Sequence, residues 1–388
     1  MKNIQLLNKI AKVGTDRLDP AAYNVGADVA APEGIMVRSA KMHEMTFNKE
    51  LLAIARAGAG VNNIPVDRCA TEGIVVFNTP GANANGVKEL AICALLLASR
   101  KVVDGVAWAK SLAGTADVAK QVEAGKSQFG GTEIKGKTLG VIGLGAIGGM
   151  VANAAIALGM NVVGCDPFLS VDGAWNLDNH IRHAATYEEV YAAADYITLH
   201  VPATPTTTNM ICKDTIALMK DGVKIINLAR AELVNATDLA AAMESGKVSA
   251  YVTDFPTEET VAIPDAITIP HLGASTEESE DNCAVMAAEE LDEYLSTGNI
   301  RNSVNYPNAS MPRSGAMRVC VLHANVPAVL TNVTNACSKR GLNIENMLNK
   351  SKGENAYTML DLTTAAGEDL LEELSAIGGV RRARLITL

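Results

Sequence analysis

Short β-branched runs alternate with stretches of small apolar residues through the middle of this chain, the pattern of strands and helices taking turns. Residues 138–142, TLGVI, suit a buried parallel strand; 150–158 supply small helix formers, Gly159 is placed to cap them, and 161–165 read as a second strand. Further on, the pattern predicts strands at 196–201, 223–228, 249–254 and 266–269, with helical stretches at 215–219 and 237–245. Such a βαβ series implies a parallel, doubly wound sheet. Upstream, residues 1 to 88 predict an αβ segment with strands at 34–37 and 74–78 and a helix over 48–56. The stretch 86–101, GVKELAICALLLASRK, is apolar all round and is expected to be a buried helix at an interdomain or subunit interface. Ser275 with Glu278 forms a capping-box pattern for a long helix over 276–295. From 317 onward the order becomes βαββαβ, a ferredoxin-like pattern behind the linker ASMPRSG that starts at Ala309.

The first of those strands runs into Gly143, Gly145 and Gly148, spaced G-x-G-x-x-G around Ala146 and Ile147. In a strand–turn–helix setting this spacing lets backbone N–H groups approach a pyrophosphate at a helix N-terminus. Asp166 closes the second strand, about 20 residues on, where a carboxylate binds ribose hydroxyls and repels a 2′-phosphate. No Lys or Arg follows it until Arg182, so NAD is expected, not NADP. A net charge of -10 argues against nucleic acid as a partner. The seven cysteines lack any C-x-x-C pair, so neither a disulfide frame nor a metal site is expected, and a cytoplasmic setting is. With no long apolar run at the N-terminus or elsewhere, no membrane role is expected.

In an open parallel sheet, ligands lie beyond the carboxyl ends of the strands. Arg38, Ser39 and Lys41 fall there, as does the AGAGVNN turn with Ala59 and Gly60. The phrases KGKTLGVIGLGAIG, HVPATPTTTNMI, INLARAELV, DFPTEE and PHLGAS occur in order, and together they resemble the D-isomer-specific 2-hydroxyacid dehydrogenases over residues 30 to 305. The resemblance implies a Rossmann domain, 89–279, inserted in a smaller flavodoxin-like αβ substrate domain formed by 1–88 and 280–305, with 306–316 as linker. It further implies cofactor contacts at Val201, Pro202, Leu228, Ala229, Arg230, Asp254, His271, Gly273 and Ala274.

Oxidising a 2-hydroxy acid needs a base, a cation for the carboxylate, and a nicotinamide placed for hydride transfer. His271 suits the base, Arg230 offers a planar fork to the carboxylate, and Glu258 would orient the imidazole, as the family's acid does. Glu259 is an alternative to Glu258. The family's Arg-Gly is Arg230-Ala231 here, which would alter the loop if that position needs positive φ. Its Asp-Val-Phe reads Thr253-Asp254-Phe255. Arg38, Ser39 and Lys41 resemble the Arg-Ser stretch of the family's 3-phosphoglycerate-oxidising branch, which implies a phosphorylated 2-hydroxy acid as substrate and a place at the head of serine biosynthesis. Residues 317–388 resemble an ACT regulatory domain; His323, Asn325, Pro327 and Asn343 match its serine-contacting pattern at what is expected to be one end of the small sheet, with Ala328 where glycine is usual. L-Serine as effector and a homodimer or homotetramer follow as expectations. The alternatives are a hydroxypyruvate or glyoxylate reductase and, in another class, a dinucleotide-sensing corepressor-like scaffold.

Overall fold

The computed structural model describes residues 1–387 and divides into two compact units, 1–83 with 277–387, and 84–276. The first unit opens with a parallel sheet of β1 (Lys2–Leu7), β2 (Tyr23–Gly26), β3 (Gly34–Val37), β4 (Ala53–Arg56) and β5 (Val75–Phe77), in the order β2-β1-β3-β4-β5. This is the flavodoxin-like order. The expected helix over 48–56 is corrected: Ala53–Arg56 is a strand held in parallel register by β3 and β5. Its apolar residues suit either state, and sheet pairing on both sides decides. The long helix Glu277–Thr297 buries Cys283, Ala284, Ala287, Ala288 and Leu291 among Ala53, Ala55 and Phe77 of the sheet.

In the second unit the parallel sheet comprises β6 (Thr138–Ile142), β7 (Asn161–Cys165), β8 (Arg182–His183), β9 (Tyr196–Leu199), β10 (Val223–Asn227), β11 (Val248–Thr253) and β12 (Ala266–Thr268). Its order, β12-β11-β10-β9-β6-β7-β8, reverses direction between β6 and β9. The apolar helix Ala84–Ser99 buries Val87, Ala91, Ala94, Leu95 and Ala98 against this sheet and the helix Ala146–Ala157. Full burial does not hold: Cys93 and Leu96 are exposed, and the helices Val102–Ser111 and Val118–Gly125 that follow contain no buried residue.

The chain ends in an antiparallel sheet of β13 (Met317–Ala324), β14 (Ile344–Lys352), β15 (Asn355–Leu362) and β16 (Val380–Thr387), ordered β14-β15-β13-β16. Helices Val329–Lys339 and Glu368–Ser375 cover one face. Cys320, Leu322, Tyr357 and Met359 on the other face share a core with Tyr294, Leu295, Ile300 and Tyr306. Arg318, wholly buried, pairs with Asp361 at 2.7 Å and donates to the carbonyls of Thr297 (2.9 Å), Met311 (3.0 Å) and Pro312 (2.9 Å), so its charge and its donors are both satisfied. Among the described residues no helix is long and apolar enough to cross a membrane.

Candidate active site

The reversal between β6 and β9 marks the place where ligands bind in a doubly wound sheet, outside the carboxyl ends of the strands. Gly143 turns the chain there at φ 89°, and a Cβ on Gly148 would fall on the Gly143 carbonyl oxygen, so the helix can start this close to the strand only with glycine. Asp166 accepts the Leu144 N–H (2.9 Å) with one carboxylate oxygen and the Phe168 N–H (2.9 Å) with the other. It therefore ties the glycine turn to the end of β7 as well as lining a cavity of about 510 Å³ with Leu144, Gly145, Ala146, Met150 and Phe168. His200, just past β9, pairs with the Thr198 hydroxyl at 2.9 Å; desolvation pushes it down to about 4, so it is neutral near pH 7.

Three strand ends carry the candidate reactive groups. After β10, the fully buried Asn227 accepts the N–H groups of Ala229 (3.2 Å) and Arg230 (3.3 Å) and donates to the Arg230 carbonyl (2.8 Å). This clamp fixes the backbone of the arginine. Ala231 begins a 3-10 turn without positive φ, so replacing the family's glycine costs no strain. After β11 comes Phe255, whose ring centroid lies 4.4 Å from that of His271 and 5.6 Å from the Arg230 guanidinium. One aromatic ring thus gathers the candidate base and the candidate carboxylate fork.

Asp254 is 1% exposed. Its Oδ2 accepts the Gly273 N–H at 3.1 Å, and its Oδ1 has no partner. Burial raises its pKa, against the Gly273 hydrogen bond and the charges of His271 and Arg230. A buried acceptor left open beside His271 fits the carboxamide N–H of a nicotinamide, since such an oxygen costs free energy until a donor reaches it. Glu258 is exposed at the start of the helix Glu258–Val261, and among the described residues no hydrogen bond joins it to His271. Glu259 is also exposed, and backbone and Thr257 hydrogen bonds lower its pKa. Val201, Pro202, Leu228, Ala229 and Ala274 lie in the loops after β9, β10 and β12, as their motifs imply.

In the first unit, Arg38, Ser39 and Lys41 follow β3. Asn8, past β1 at φ 69°, accepts the N–H groups of Ser39 (3.0 Å) and Ala40 (2.6 Å), and Asn63 donates to the Ala40 carbonyl (2.9 Å). Arg56, at the end of β4, donates to the Arg38 carbonyl (3.2 Å). The Ala59–Gly60 turn is held by Asn78, which donates to the Ala59 carbonyl (2.5 Å). Asn8, Arg56, Asn227 and Phe255 were not singled out by sequence; polar residues at strand ends within the matched phrases were the available signal for Asn227 and Phe255's motif for the ring.

The expected grouping of effector residues needs correction. Asn325 follows β13 while Asn343 precedes β14, and both strands pair antiparallel with β15, so the two asparagines lie at opposite ends of the sheet. The helix between them returns the chain to its starting end, and eight-residue strands span about 23 Å. His323 is buried with Nδ1 2.7 Å from the Ala324 carbonyl and Nε2 2.9 Å from the Thr358 hydroxyl, so its ring is already engaged within its own domain. Ala328 adopts φ 69° at the head of the following helix.

Residues 95–273 match the sequence profile of the D-isomer specific 2-hydroxyacid dehydrogenase NAD-binding domain. The D-3-phosphoglycerate dehydrogenase of Escherichia coli K12 is 32% identical over 353 residues, covering 87% of this chain and 82% of that protein. D-3-phosphoglycerate dehydrogenase 1 of Saccharomyces cerevisiae is 31% identical over 348 residues, covering 83% and 70%. Among solved structures, the NAD⁺-bound 3-phosphoglycerate dehydrogenase of Entamoeba histolytica superposes with a TM-score of 0.60 at 26% identity, covering 78% of this chain and 98% of that one.

Proposed function

The chain belongs to the D-isomer specific 2-hydroxyacid dehydrogenases, NAD-dependent enzymes acting on a CH–OH group, and from that premise we propose that it oxidises 3-phospho-D-glycerate to 3-phosphooxypyruvate, the first step of serine biosynthesis. The backbone N–H groups of Gly145, Ala146 and Ile147 would hold the cofactor's pyrophosphate, Asp166 the adenine ribose, and Asp254 Oδ1 the carboxamide. Bound NAD supplies the hydride acceptor.

The remaining work falls to side chains of this chain. Arg230 fixes the substrate carboxylate and polarises the reacting oxygen through its planar fork. His271 takes the proton of the 2-hydroxyl, and Phe255 keeps that imidazole and Arg230 in one place. In this reading Glu258 is the acid that orients the imidazole of His271.

The observation that carries the choice of substrate is the cationic loop of Arg38, Ser39 and Lys41, its backbone fixed by Asn8, Asn63 and Arg56. A phosphoryl group uses such cations; the tail of glycerate, lactate or glyoxylate does not. We place the enzyme in the cytoplasm, and we assign it a homodimer or homotetramer because helices Val102–Ser111 and Val118–Gly125 contain no buried residue within one chain. We assign the C-terminal sheet and its helices to an ACT-type regulator responsive to L-serine. A serine touching both Asn325 and Asn343 must take them from two chains, since one sheet keeps them at opposite ends. Following NADH absorbance with 3-phosphoglycerate, D-lactate and D-glycerate in parallel, with and without L-serine, tests these points. Higher kcat/KM with an unphosphorylated acid would transfer the assignment to another reductase of the family, and complete inactivity would favour a sensing scaffold.

A further inference from the structure

Arg38 does not wait alone at the end of β3. Its guanidinium meets the Glu280 carboxylate at 2.5 Å, an ion pair in which both side chains are a little over two-fifths exposed. Glu280 is no floppy surface acid. It sits in the first turn of the long helix Glu277–Thr297, one turn before Cys283 and Ala284 and two before Ala287, which are buried against the same sheet that carries Arg38. Residues three, four and seven positions apart share a helix face, so packing of that apolar stripe aims Glu280 over the end of β3. The other side of Arg38 is set as well, its carbonyl taking the Arg56 Nε–H at 3.2 Å.

We infer that Glu280 is a built-in competitor for the anionic end of the substrate, an affinity-setting residue that occupies Arg38 until a phosphoryl group displaces it. This rests on the reading of Arg38 as the phosphate ligand. A tethered carboxylate carries one negative charge, whereas a phosphate monoester carries about -1.5 to -2 at pH 7 and offers three acceptor oxygens. The dianion wins the exchange but gains only the difference between the two contacts. A substrate with a neutral tail has nothing to exchange and leaves the pair intact. Substrate and product keep the same phosphoryl group, so the competitor weakens both and favours release of product. Glu280 touches Arg38 and not the reacting atoms, which makes it a positioning residue.

The test compares wild type, Glu280→Gln, Glu280→Asp, Arg38→Ala and the double variant Arg38→Ala/Glu280→Gln. Glutamine keeps the shape and removes the charge, so KM for 3-phosphoglycerate should fall about three- to fivefold, the scale of a partly exposed ion pair. KM for D-glycerate should move much less, and kcat should not fall in step with KM. Aspartate, one methylene shorter, should lie between wild type and Gln. In the Arg38→Ala background the Gln substitution should have no effect on KM. An unchanged or raised KM for 3-phosphoglycerate in Glu280→Gln overturns the inference, as does an equal gain for D-glycerate. Inorganic phosphate, followed by its shift of the melting temperature, reads the anion site without turnover. Half-saturation at a lower phosphate concentration in Glu280→Gln supports the competitor, and the same concentration in both proteins overturns it. Wild type inactive on 3-phosphoglycerate but showing that difference would instead refute only the assigned reaction.

Discussion

Replacing Asp166 with alanine probes the cofactor site at the point where its two tasks meet. The carboxylate would bind the adenine ribose, yet it already accepts the N–H groups of Leu144 and Phe168, each at 2.9 Å. Hydrogen bonds to a charged group contribute about 1.5–3 kcal/mol each, and partial exposure puts these two toward the low end. Asp166→Ala should therefore loosen the turn through Gly143 by about 3 kcal/mol, beyond any loss of ribose contact. If that loss is felt fully in the transition state, kcat/KM for NAD falls about 10²-fold, at 1.36 kcal/mol per tenfold. NADP, freed of repulsion, gains relative to NAD but meets the same loosened turn, so its kcat/KM stays well below the wild-type value for NAD. Asp166→Asn keeps one side-chain oxygen and should lose less. Steady-state kinetics with both cofactors, beside urea unfolding of the apo proteins, separates the parts. A kcat/KM for NAD within twofold of wild type in Asp166→Ala would refute the reasoning.

Other substitutions test other sites. His271→Asn should cost roughly 10²–10⁴ in kcat while NAD still binds, and stopped-flow turnover beside a cofactor titration checks both halves. Ala328 holds φ 69°, a conformation costing a non-glycine residue roughly 1–2 kcal/mol, so Ala328→Gly should raise stability by about 1 kcal/mol once glycine's looser unfolded state is counted; a lower melting temperature would count against it. Glu290 is 1% exposed, its Oε1 takes the Asn302 amide at 2.6 Å, its Oε2 has no partner, and burial lifts its pKa to about 8. A carboxyl raised above its unfolded value of about 4.3 favours folding fully only below that pH, and the advantage is lost progressively as pH rises toward 8, so Glu290→Gln should flatten the decline and stabilise the protein at pH 8 by on the order of 3 kcal/mol; parallel urea curves for both proteins at pH 5 and 8 decide it.

What could be read from the chain depended on how local the cause was. The strand before Gly143, the helix after it and the acid closing β7 follow from neighbours in sequence, and all three stand where spacing put them. Ala53–Arg56 went wrong because pairing with β3 and β5, set by distant residues, outweighs a local pattern that suits a helix equally. β1 gives little local signal for a related reason: KNIQLL has little alternation, and its interior place in the sheet comes from pairing with β2 and β3. In the candidate site, motifs point to the residues proposed for the chemistry, while the contacts that hold those residues are set in space. Asn227 clamps Arg230, Phe255 gathers Arg230 with His271, and Asn8 reaches a loop thirty residues away.

The C-terminal sheet shows the opposite case, one in which topology alone sets the placement. In a strand–helix–strand unit the helix carries the chain back, so the end of the first strand and the start of the second must lie at opposite ends of their sheet. Asn325 and Asn343 occupy those two positions, and the observed pairing of β13 and β14 with β15 keeps them apart. A small ligand cannot bridge that span within one chain. If two copies pair these sheets edge to edge about a two-fold axis, each copy's Asn325 end can face its partner's Asn343 end, and two equivalent sites arise from one seam. Serine binding would then depend on assembly, and each substitution at Asn325 would be complemented in a mixed dimer only at the seam end where the other copy contributes an intact asparagine.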